Sequence, residues 1–499
     1  MAEGRRRSGV ASRADATARE RAAEPRALAE VARFDEEADV LVVGLGCAGA
    51  CAALEAAAAG ADVLAIECKS AGGGTSALSG GILYLGGGTP VQKACGFEDD
   101  AENMYAYLLA ASGPEADEAK VQRLCEDSVA HYHWLEQQGV PFKHSFYPEP
   151  SMEAPTDDCL VFTGGEDTHP WNQIARPAAR GHKPRAEAAA GGFLMRCLLQ
   201  ALAKTRARTL CDLSAETLVV DADGRVAGAI ARRDGREVAL RARRGVVLCA
   251  GGFVLDDDLV SKHCPQVLRC SWRLSDGADD GRGIRMGLAA GGEAIHMEAL
   301  ECAIPLTPPR RLVRGLLVNG TGQRFINEDA YYGRIGQASL FRQDGRMYFI
   351  HDDDSYEVNQ AGFEVDYVGD TIEELEREIG LPEGALVSTV ELYNRHAARG
   401  EDPLFHKGRE FVVPLVEPPF GAIDCSSGRV TYATFTLGGL HTRPGGEVLT
   451  PAGRAVPGLY AAGRTTSGIA AFGYVSGISL ADGTYFGRLA GRSAASAPR

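Results

Sequence analysis

Residues 39–49 read DVLVVGLGCAG, and this stretch decides the fold. The apolar run at 40–43 is typical of a strand in a parallel sheet that is covered on both faces. An alanine-rich segment at 47–59 predicts a helix, and a second apolar run at 61–67 predicts another strand. Strand, helix and strand together form a βαβ unit of about 30 residues. We therefore expect an α/β protein.

Three glycines lie at the turn between the first strand and the helix, in the pattern G-x-G-x-x-G. Gly44 would make the tight turn, Gly46 would let the backbone approach a pyrophosphate, and Gly49 would let helix and strand pack. Free amides at the helix N-terminus favour phosphate binding. Glu67, at the end of the second strand, is placed to accept hydrogen bonds from ribose hydroxyls. The motif therefore predicts a dinucleotide site.

Two further clusters of small residues lie far from this motif. Residues 72–81 read GGGTSALSGG, and residues 460–464 read YAAGR. An NAD site needs little beyond the βαβ unit, whereas three distant clusters suit one long cofactor that lies across the domain. We therefore expect FAD rather than NAD.

Length and charge limit the classes of function. The chain has 499 residues, which predicts more than one domain. Its formal net charge of −15 argues against a nucleic-acid partner. His131 and His133 fall on opposite faces of a predicted helix, so no metal site is expected.

The cysteines and the apolar segments bear on the compartment. The 13 cysteines are scattered without a CxxC pair, which favours reduced thiols in a cytoplasmic protein. There is no secretory signal pattern, and no apolar stretch reaches the roughly 20 residues of a membrane span. The haem motif CxxCH is absent from the sequence, so we expect a separate electron acceptor of unknown identity.

Changes of pattern along the chain predict one domain interrupted by another. We expect a disordered tail at 1–35 and the first part of a Rossmann-type FAD-binding domain at 36–300. An inserted α+β cap (substrate) domain is expected at 301–430, and the FAD-binding domain would resume at 431–499.

Smaller elements are predicted within these segments. Residues 98–138 should be helical, and residues 147–185 should form a long irregular loop. Alternating apolar residues at 216–250 indicate a β-meander. A final helix is expected from about Ser476 to Arg492.

The chain resembles the fumarate reductase / 3-ketosteroid dehydrogenase superfamily of flavoproteins over roughly residues 38–499. Besides the glycine-rich segments, the resemblance rests on AGG at 250–252, DGRGI at 280–284, GQRFINE at 322–328, TLGG at 436–439 and FGR at 486–488. It implies an FAD domain split by a cap, with the active site where the cap meets the flavin.

The resemblance also implies which residues contact the cofactor. These are Gly44, Gly46, Ala48, Gly49, Glu67, Thr75, Ser76, Ser79, Gly80, Gly81, Leu218, Ala250, Gly251, Asp280, Gly463, Arg464 and Ile478. Some members attach FAD through a histidine in the second glycine loop. This chain has no histidine before His131, so non-covalent FAD is expected. Arg464 departs from the glutamate that many members carry there.

Fumarate-type substrates are not expected. Dicarboxylate reductases of this superfamily have a histidine-rich segment where this chain reads TFTLGG at 434–439, and an arginine where it has Tyr474. Arginine matters because its planar fork binds a carboxylate through two hydrogen bonds, which tyrosine cannot do. Aromatic rings and hydroxyls at these positions suit a hydrophobic ketone.

At the reacting end the chain is most similar to the 3-ketosteroid Δ4-(5α)-dehydrogenase branch. This chemistry needs a base for the α proton, a donor to the developing enolate oxygen, and flavin N5 as acceptor of the β hydride. Tyr474 is the expected base. Tyr332, preferred over Tyr331, or Ser476 could relay its proton, and Ser476 could instead hold the ketone oxygen or cap the final helix. Arg334 is an alternative acid.

Other functions stay open at this point. A Δ1-dehydrogenase, or a fumarate-reductase-like reductase of an enone or enoate, would use similar groups, and the working direction is not readable from the sequence. A flavin-binding protein without turnover is a different class. The hydroxyls of Tyr332, Tyr474 and Ser476 argue against it.

Overall fold

The computed structural model describes residues 23–149, 154–304, 308–358 and 363–499. Part of the predicted tail, residues 1–22, lies outside the described residues. Residues 26–27 form a short strand that pairs in parallel with residues 219–220. Arg26 also forms an ion pair with Glu237 at 2.9 Å. The prediction of a disordered tail as far as residue 35 was therefore wrong for this part, because the sheet offers residues 26–27 an edge to pair with.

The helices and strands follow in chain order. The strands are β1 (Arg26–Ala27), β2 (Glu36–Val43), β3 (Val63–Ile66), β4 (Leu83–Tyr84), β5 (Leu160–Val161), β6 (Gly181–His182), β7 (Arg208–Leu210), β8 (Ser214–Val220), β9 (Val226–Arg233), β10 (Arg236–Leu248), β11 (Trp272–Arg273), β12 (Ala294–Ile295), β13 (Leu300–Ala303), β14 (Leu316–Asn319), β15 (Met347–His351), β16 (Tyr367–Gly369), β17 (Phe420–Asp424), β18 (Ala433–Thr436), β19 (Gly439–Leu440), β20 (Glu447–Leu449) and β21 (Ala455–Ala461). The helices are α1 (Cys47–Ala58), α2 (Pro90–Ala94), α3 (Ala101–Ala111), α4 (Glu118–Gln137), α5 (Trp171–Ile174), α6 (Gly191–Ala203), α7 (Asp257–His263), α8 (Arg282–Ala289), α9 (Tyr332–Arg342), α10 (Ile372–Ile379), α11 (Ala385–Ala397) and α12 (Ile478–Ser496).

The main sheet carries the predicted βαβ unit. Its order is β1-β8-β9-β10-β2-β3-β7, and β21 pairs with β10 and β20. Strand β2 is parallel to β3 and to the second half of β10. Along β2, Val40 and Val42 belong to one hydrophobic core, and Leu41 and Val43 belong to the other. Successive side chains of a strand point to opposite faces, so a continuous apolar run covers both faces of this sheet.

Small residues let the first and last helices pack at close range. A Cβ atom on Gly487 would lie 2.4 Å from the carbonyl oxygen of Ala48, and one on Gly491 would lie 2.1 Å from that of Ala52. Both are far below van der Waals contact, so only glycine fits. This contact fixes the start of α12, and the segment just before it, relative to α1.

A third hydrophobic core lies in the region predicted as the cap. The sheet β14-β15-β17-β16 packs with α10 and α11 around Leu316, Leu375 and Leu386. A smaller sheet, β11-β18-β13, joins the strands on either side of this region, with Glu301 opposite Phe435. The domain boundaries at 301 and 430 stay a prediction.

Some element boundaries differ from the sequence-based expectation. The predicted helix at 98–138 is two helices, α3 and α4, separated by Gly113 with φ +81° and by Pro114. The expected loop at 147–185 contains the short elements β5, α5 and β6. Within the described ranges, no helix is both long and apolar enough to cross a membrane.

The contact between α1 and α12 predicts that Gly491→Ala destabilises the protein. The added methyl group would overlap the Ala52 carbonyl, and such overpacking costs about 1–3 kcal/mol. Urea unfolding followed by circular dichroism measures this loss. Gly192→Ala in α6 is the matched control, since its nearest atom lies 3.5 Å away, and it should unfold at or above the wild-type midpoint. Equal midpoints for the two variants would contradict the proposed close packing.

Candidate active site

A cavity of about 860 Å³ extends from the glycine motif to the sheet β11-β18-β13. Its walls come from the carboxyl ends of the parallel strands, from the loop at 74–82, and from the segment before α12. Ligands of open α/β sheets bind at this end of the strands. The three clusters of small residues, far apart in sequence, all meet at this cavity.

Gly44 and Gly46 shape the end of the cavity near α1. Gly44 has φ +96°, and a Cβ atom on it would lie 2.4 Å from the carbonyl oxygen of Cys249. The Cys47 amide at the start of α1 donates to Ser76 Oγ at 3.2 Å. The remaining amides and the helix dipole suit a phosphate.

Glu67 is held rigidly beside the same turn. Its carboxylate accepts hydrogen bonds from the Leu45 amide at 2.8 Å and from the Lys69 amide at 2.9 Å. Each carboxylate oxygen can accept more than one hydrogen bond, so both can still bind ribose hydroxyls. The position agrees with the role expected for Glu67.

Asp279, which is not among the residues expected from the sequence, is hydrogen-bonded to three segments of the cavity wall. This buried carboxylate accepts from Thr75 Oγ1 at 2.7 Å, from the Gly252 amide at 2.8 Å and from Arg464 Nη2 at 2.9 Å. Burial raises the pKa of Asp279, but Arg464 and the hydrogen bonds outweigh it and hold the pKa below its ordinary value. The neighbouring Asp280, which was predicted, also lines the cavity but pairs with Arg282 at 3.0 Å.

Most residues predicted to contact the cofactor line the cavity. They are Gly44, Gly46, Ala48, Glu67, Thr75, Ser76, Ser79, Gly80, Gly81, Ala250, Gly251, Asp280, Gly463 and Arg464. Gly49, Leu218 and Ile478 do not line it.

The three exceptions lie behind the cavity wall. A Cβ on Gly49 would be 1.8 Å from the Gly44 carbonyl oxygen, so Gly49 acts in packing. Leu218 is buried in the core, and Leu213, Ser214 and Ala215 reach the cavity instead because they stand at the end of β8 that faces it. Ile478 is buried at the first position of α12.

Tyrosines form the wall opposite the glycine motif. Tyr474 is 8% exposed, and its ring meets Phe435 edge-on at 5.2 Å between centroids. Tyr331 and Tyr332 both line the cavity, with ring centroids 4.4 Å apart. The sequence pattern favours Tyr332 over Tyr331, but both reach the site because Tyr331 directly precedes α9 and Tyr332 begins it.

A buried carboxyl group, absent from the sequence-based set, lies beside these tyrosines. Glu301 on β13 is 1% exposed and lines the cavity. Its Oε1 accepts from the Tyr331 hydroxyl at 3.3 Å, and its Oε2 accepts from Gln337 Nε2 at 3.1 Å. No local motif marks Glu301, because its partners are Gln337 in α9 and Tyr331 just before α9.

Burial controls the proton affinities in this wall. It raises the pKa of Tyr474 well above the ordinary value; Ser479 lowers that pKa, and Glu301 and Tyr332 raise it further. The pKa of Tyr331 is also raised well above its ordinary value, first by burial and then by Tyr332 and Glu301. Both side chains are therefore neutral phenols near pH 7. Either can act as a base only if its own proton moves on at the same time.

Ser476 lines the cavity two residues after Tyr474. Its amide donates to the Thr163 carbonyl at 3.2 Å. It is not the cap of the last helix, because Gly477, with φ +96°, occupies that position. Ser479, which sequence analysis did not select, also lines the cavity from the first turn of α12.

Positive groups near the tyrosines are engaged elsewhere. Arg334 does not line the cavity; it donates to the Ala111 carbonyl at 3.0 Å, and its guanidinium lies 4.0 Å from the Trp171 ring centroid. Arg464 pairs with Asp279. Among the described residues, no group of three histidines, cysteines or carboxylates could hold a metal ion.

Residues 39–480 match the family model described as FAD binding domain. The chain belongs to this family. A solved structure of 3-ketosteroid-delta4-(5alpha)-dehydrogenase from Rhodococcus jostii RHA1, in complex with 4-androstene-3,17-dione, is 48% identical with a TM-score of 0.91. The match covers 95% of this chain and 99% of that one. The predicted superfamily and Rossmann-type FAD-binding fold are confirmed.

Two other relatives represent both branches of the superfamily. The 3-oxo-5-alpha-steroid 4-dehydrogenase of Comamonas testosteroni is 28% identical, over 87% of this chain and 94% of its own length. A probable fumarate reductase of Shewanella frigidimarina (strain NCIMB 400) is 27% identical, over 92% of this chain and 75% of its own length.

The cavity of this FAD-binding protein fits its cofactor. The glycine turn places no side chain beside the cavity where a pyrophosphate would bind, and Glu67 lines the cavity next to this turn, where it could bind a ribose hydroxyl. Arg464 lines the cavity, and its Nη1 atom is buried without a hydrogen-bond partner among the described residues. Buried polar atoms in folded proteins nearly always have a partner, so this atom is available to FAD.

The interactions of Asp279 predict that FAD binding depends on this carboxylate. Asp279→Asn should lower FAD retention and stability, because removing one partner of a buried ion pair costs about 3–5 kcal/mol. FAD content after gel filtration and the thermal midpoint measure the two effects. Asp257→Asn is the matched control, because its half-exposed side chain forms an ion pair with Arg273 at 2.6 Å and does not line the cavity, and it should change both by much less. An equal or larger loss in Asp257→Asn would contradict the role given to Asp279.

Proposed function

We propose that this protein is an FAD-dependent 3-ketosteroid dehydrogenase that introduces a double bond between C4 and C5 of a 5α-3-ketosteroid. The observation that carries the proposal is the tyrosine wall, in which Tyr474, Tyr332 and Ser476 line one cavity with the FAD-binding residues. The 48% identical structure that holds a 3-ketosteroid supports the same substrate class. The substrate would lie between the FAD-binding part and the proposed cap at 301–430.

An apolar wall suits the steroid body. Along β11, β13 and β18, alternate residues line the cavity and form one face of this small sheet: Trp272, Leu274, Glu301, Ala303, Ala433 and Phe435. Burying apolar substrate surface against such a face drives binding. The few hydroxyls at one end would fix the orientation of the ketone.

The protein's own residues would control the α proton. The C3 ketone acidifies the hydrogen at C4, and the Tyr474 oxygen would accept it while the Tyr474 proton moves to a neighbouring hydroxyl. Tyr332 or Ser476 would pass that proton on, and Ser476 could instead donate to the ketone oxygen as negative charge develops there. Bound FAD supplies the acceptor for the hydride that leaves C5.

Several further properties belong to this proposal. FAD would be held without a covalent bond, since no histidine precedes His131 in the sequence. A separate molecule would reoxidise the flavin. All 13 cysteines are free thiols, which supports a cytoplasmic location.

A reductase of fumarate or another enoate is the second candidate, because relatives of both kinds match most of the chain. The described cavity wall gives it little support. Carboxylate recognition needs a free arginine fork. Among the described residues, the arginines that line the cavity are Arg282 and Arg464, and each pairs with an aspartate. A Δ1-dehydrogenase differs in which side of the ketone loses hydrogen.

Anaerobic mixing with a 5α-3-ketosteroid tests the proposal. The oxidised flavin band should bleach, and the product should be a 4-ene-3-ketone by mass spectrometry and ultraviolet absorbance. A 1-ene product would favour the Δ1 alternative. If the flavin stays oxidised with the steroid while its reduced form is reoxidised by fumarate, the dehydrogenase proposal is wrong and the protein is a reductase.

Tyr474→Phe should slow flavin reduction by about 10²–10⁴-fold, because a positioned acid or base contributes about that factor. Stopped-flow absorbance measures the rate. Tyr393→Phe is the matched control, since Tyr393 is buried in the core around α10 and α11 and its hydroxyl has no partner among the described residues. It should reduce its flavin at the wild-type rate. Similar rates for wild type and Tyr474→Phe would remove Tyr474 as the base.

A further inference from the structure

We propose that Glu301 receives the proton that leaves C4 of the substrate, by way of the tyrosine hydroxyls. This inference rests on the proposed function and extends it to a residue outside the family motifs. Glu301 would act through Tyr331, so it is a positioning residue for the base rather than a group that touches the reacting atoms.

The carboxyl group is built into the wall at a fixed place. The Tyr331 hydroxyl and the Gln337 amide each donate to one of its oxygens. A Cβ atom on Gly333 would lie only 2.1 Å from Glu301 Oε1, so glycine at this position leaves space for the carboxyl group. Helix α9 begins at Tyr332, and its N-terminal dipole favours a negative charge at this point.

The tyrosines connect this group to the reacting end. Tyr331 and Tyr332 are in ring contact at 4.4 Å, and Tyr331 is hydrogen-bonded to Glu301. Tyr474 lies near enough to Tyr332 and Glu301 for both to raise its pKa. A neutral Tyr474 cannot accept a proton unless its own proton leaves, and Glu301 is a carboxyl group in hydrogen-bond contact with this tyrosine set.

The surroundings give Glu301 an affinity for protons that suits this role. Burial raises the pKa of Glu301 to about 8, against the opposing effects of Arg334, Tyr331 and the Cys302 amide. The phenols of Tyr331 and Tyr474 lie near it, and the pKa of each is raised well above its ordinary value, so both are neutral near pH 7. Such a group can take up a proton in dehydrogenation and release it afterwards.

The proposed step moves protons only. The C4–H bond breaks, its electron pair stays on the substrate as an enolate, and the proton binds the Tyr474 oxygen. The Tyr474 proton passes through Tyr332 and Tyr331, and a new O–H bond forms at Glu301 Oε1. The carboxylate becomes a neutral carboxylic acid, so the charge lost there appears on the enolate.

The pH dependence has a definite direction. Glu301 accepts a proton only when it is ionised, so the rate constant of flavin reduction by a 5α-3-ketosteroid should rise with pH and level off above about 8. Glu301→Gln keeps the size and shape of the side chain, but its amide cannot accept the proton. The rate constant of flavin reduction in this variant should be about 10–100-fold lower at pH 9 and should no longer increase with pH.

Matched variants separate the relay from a purely structural effect. Glu301→Asp should restore part of the rate and of the pH dependence. In Tyr331→Phe the rate constant should likewise no longer increase with pH. Combining Tyr331→Phe with Glu301→Gln should lower the rate constant little further, because both variants interrupt the same proton relay. Glu376→Gln is the control, as Glu376 is buried outside the cavity and binds the Gly384 and Leu386 amides.

A second measurement needs no substrate turnover. Infrared difference spectra of the FAD-loaded protein between pH 6 and 9 should show a carboxylic acid titrating near pH 8. The component near pH 8 should be lost in Glu301→Gln and kept in Glu376→Gln. Glu166, whose pKa burial raises to about 7, should titrate in both variants. A spectrum unchanged by Glu301→Gln would overturn the proposal.

The two proposals fail in different ways. If the steroid does not bleach the wild-type flavin, the proposed function falls, and the relay falls with it. If the wild type is bleached and Glu301→Gln is reduced at the same rate with the same pH profile, only the relay falls.

Discussion

The contact between Gly44 and Gly49 is the constraint on which the site depends. The Gly44 carbonyl oxygen lies 1.8 Å from the point where a Cβ atom on Gly49 would be, so the first turn of α1 sits directly against the end of β2. This position brings the amides of α1 to the cavity. Helix α12 then packs on α1 through glycines, and α12 in turn fixes the segment that carries Tyr474 and Ser476. Cofactor site and reacting end are thereby set by one packed pair of helices.

The two halves of the cavity differ in how they treat charge. Near the glycine motif, Asp279 is buried but paired with Arg464 and hydrogen-bonded to Thr75, which keeps it ionised. Near the tyrosines, Glu301 is equally buried but has only neutral hydrogen-bond donors. Burial without a directly paired opposite charge favours the protonated form, and burial with one favours the ionised form. A buried carboxyl group therefore carries a fixed structural charge at Asp279 and an exchangeable proton at Glu301.

Local patterns predicted most of the framework. The βαβ unit at 39–67, the meander of β8, β9 and β10, and the final helix α12 follow from periodicity and glycine positions, which act over a few residues. The motif residues of the cofactor site could be found in the same way, because the backbone turn that binds a pyrophosphate requires glycine at fixed spacing. Most of those residues line the cavity.

The remaining features depend on contacts between distant segments. Residues 26–27 form a strand because β8 offers an edge 193 residues later, and Asp279 meets Arg464 across 185 residues. Which residues of β8 reach the cavity depends on where that strand ends in the sheet. The sequence by itself determined the turn that binds the cofactor, since its geometry allows only glycine. Only the tertiary structure decided that Glu301 lies beside Tyr331, because a strand and a helix 30 residues apart pack their faces together and exclude water from the carboxyl group.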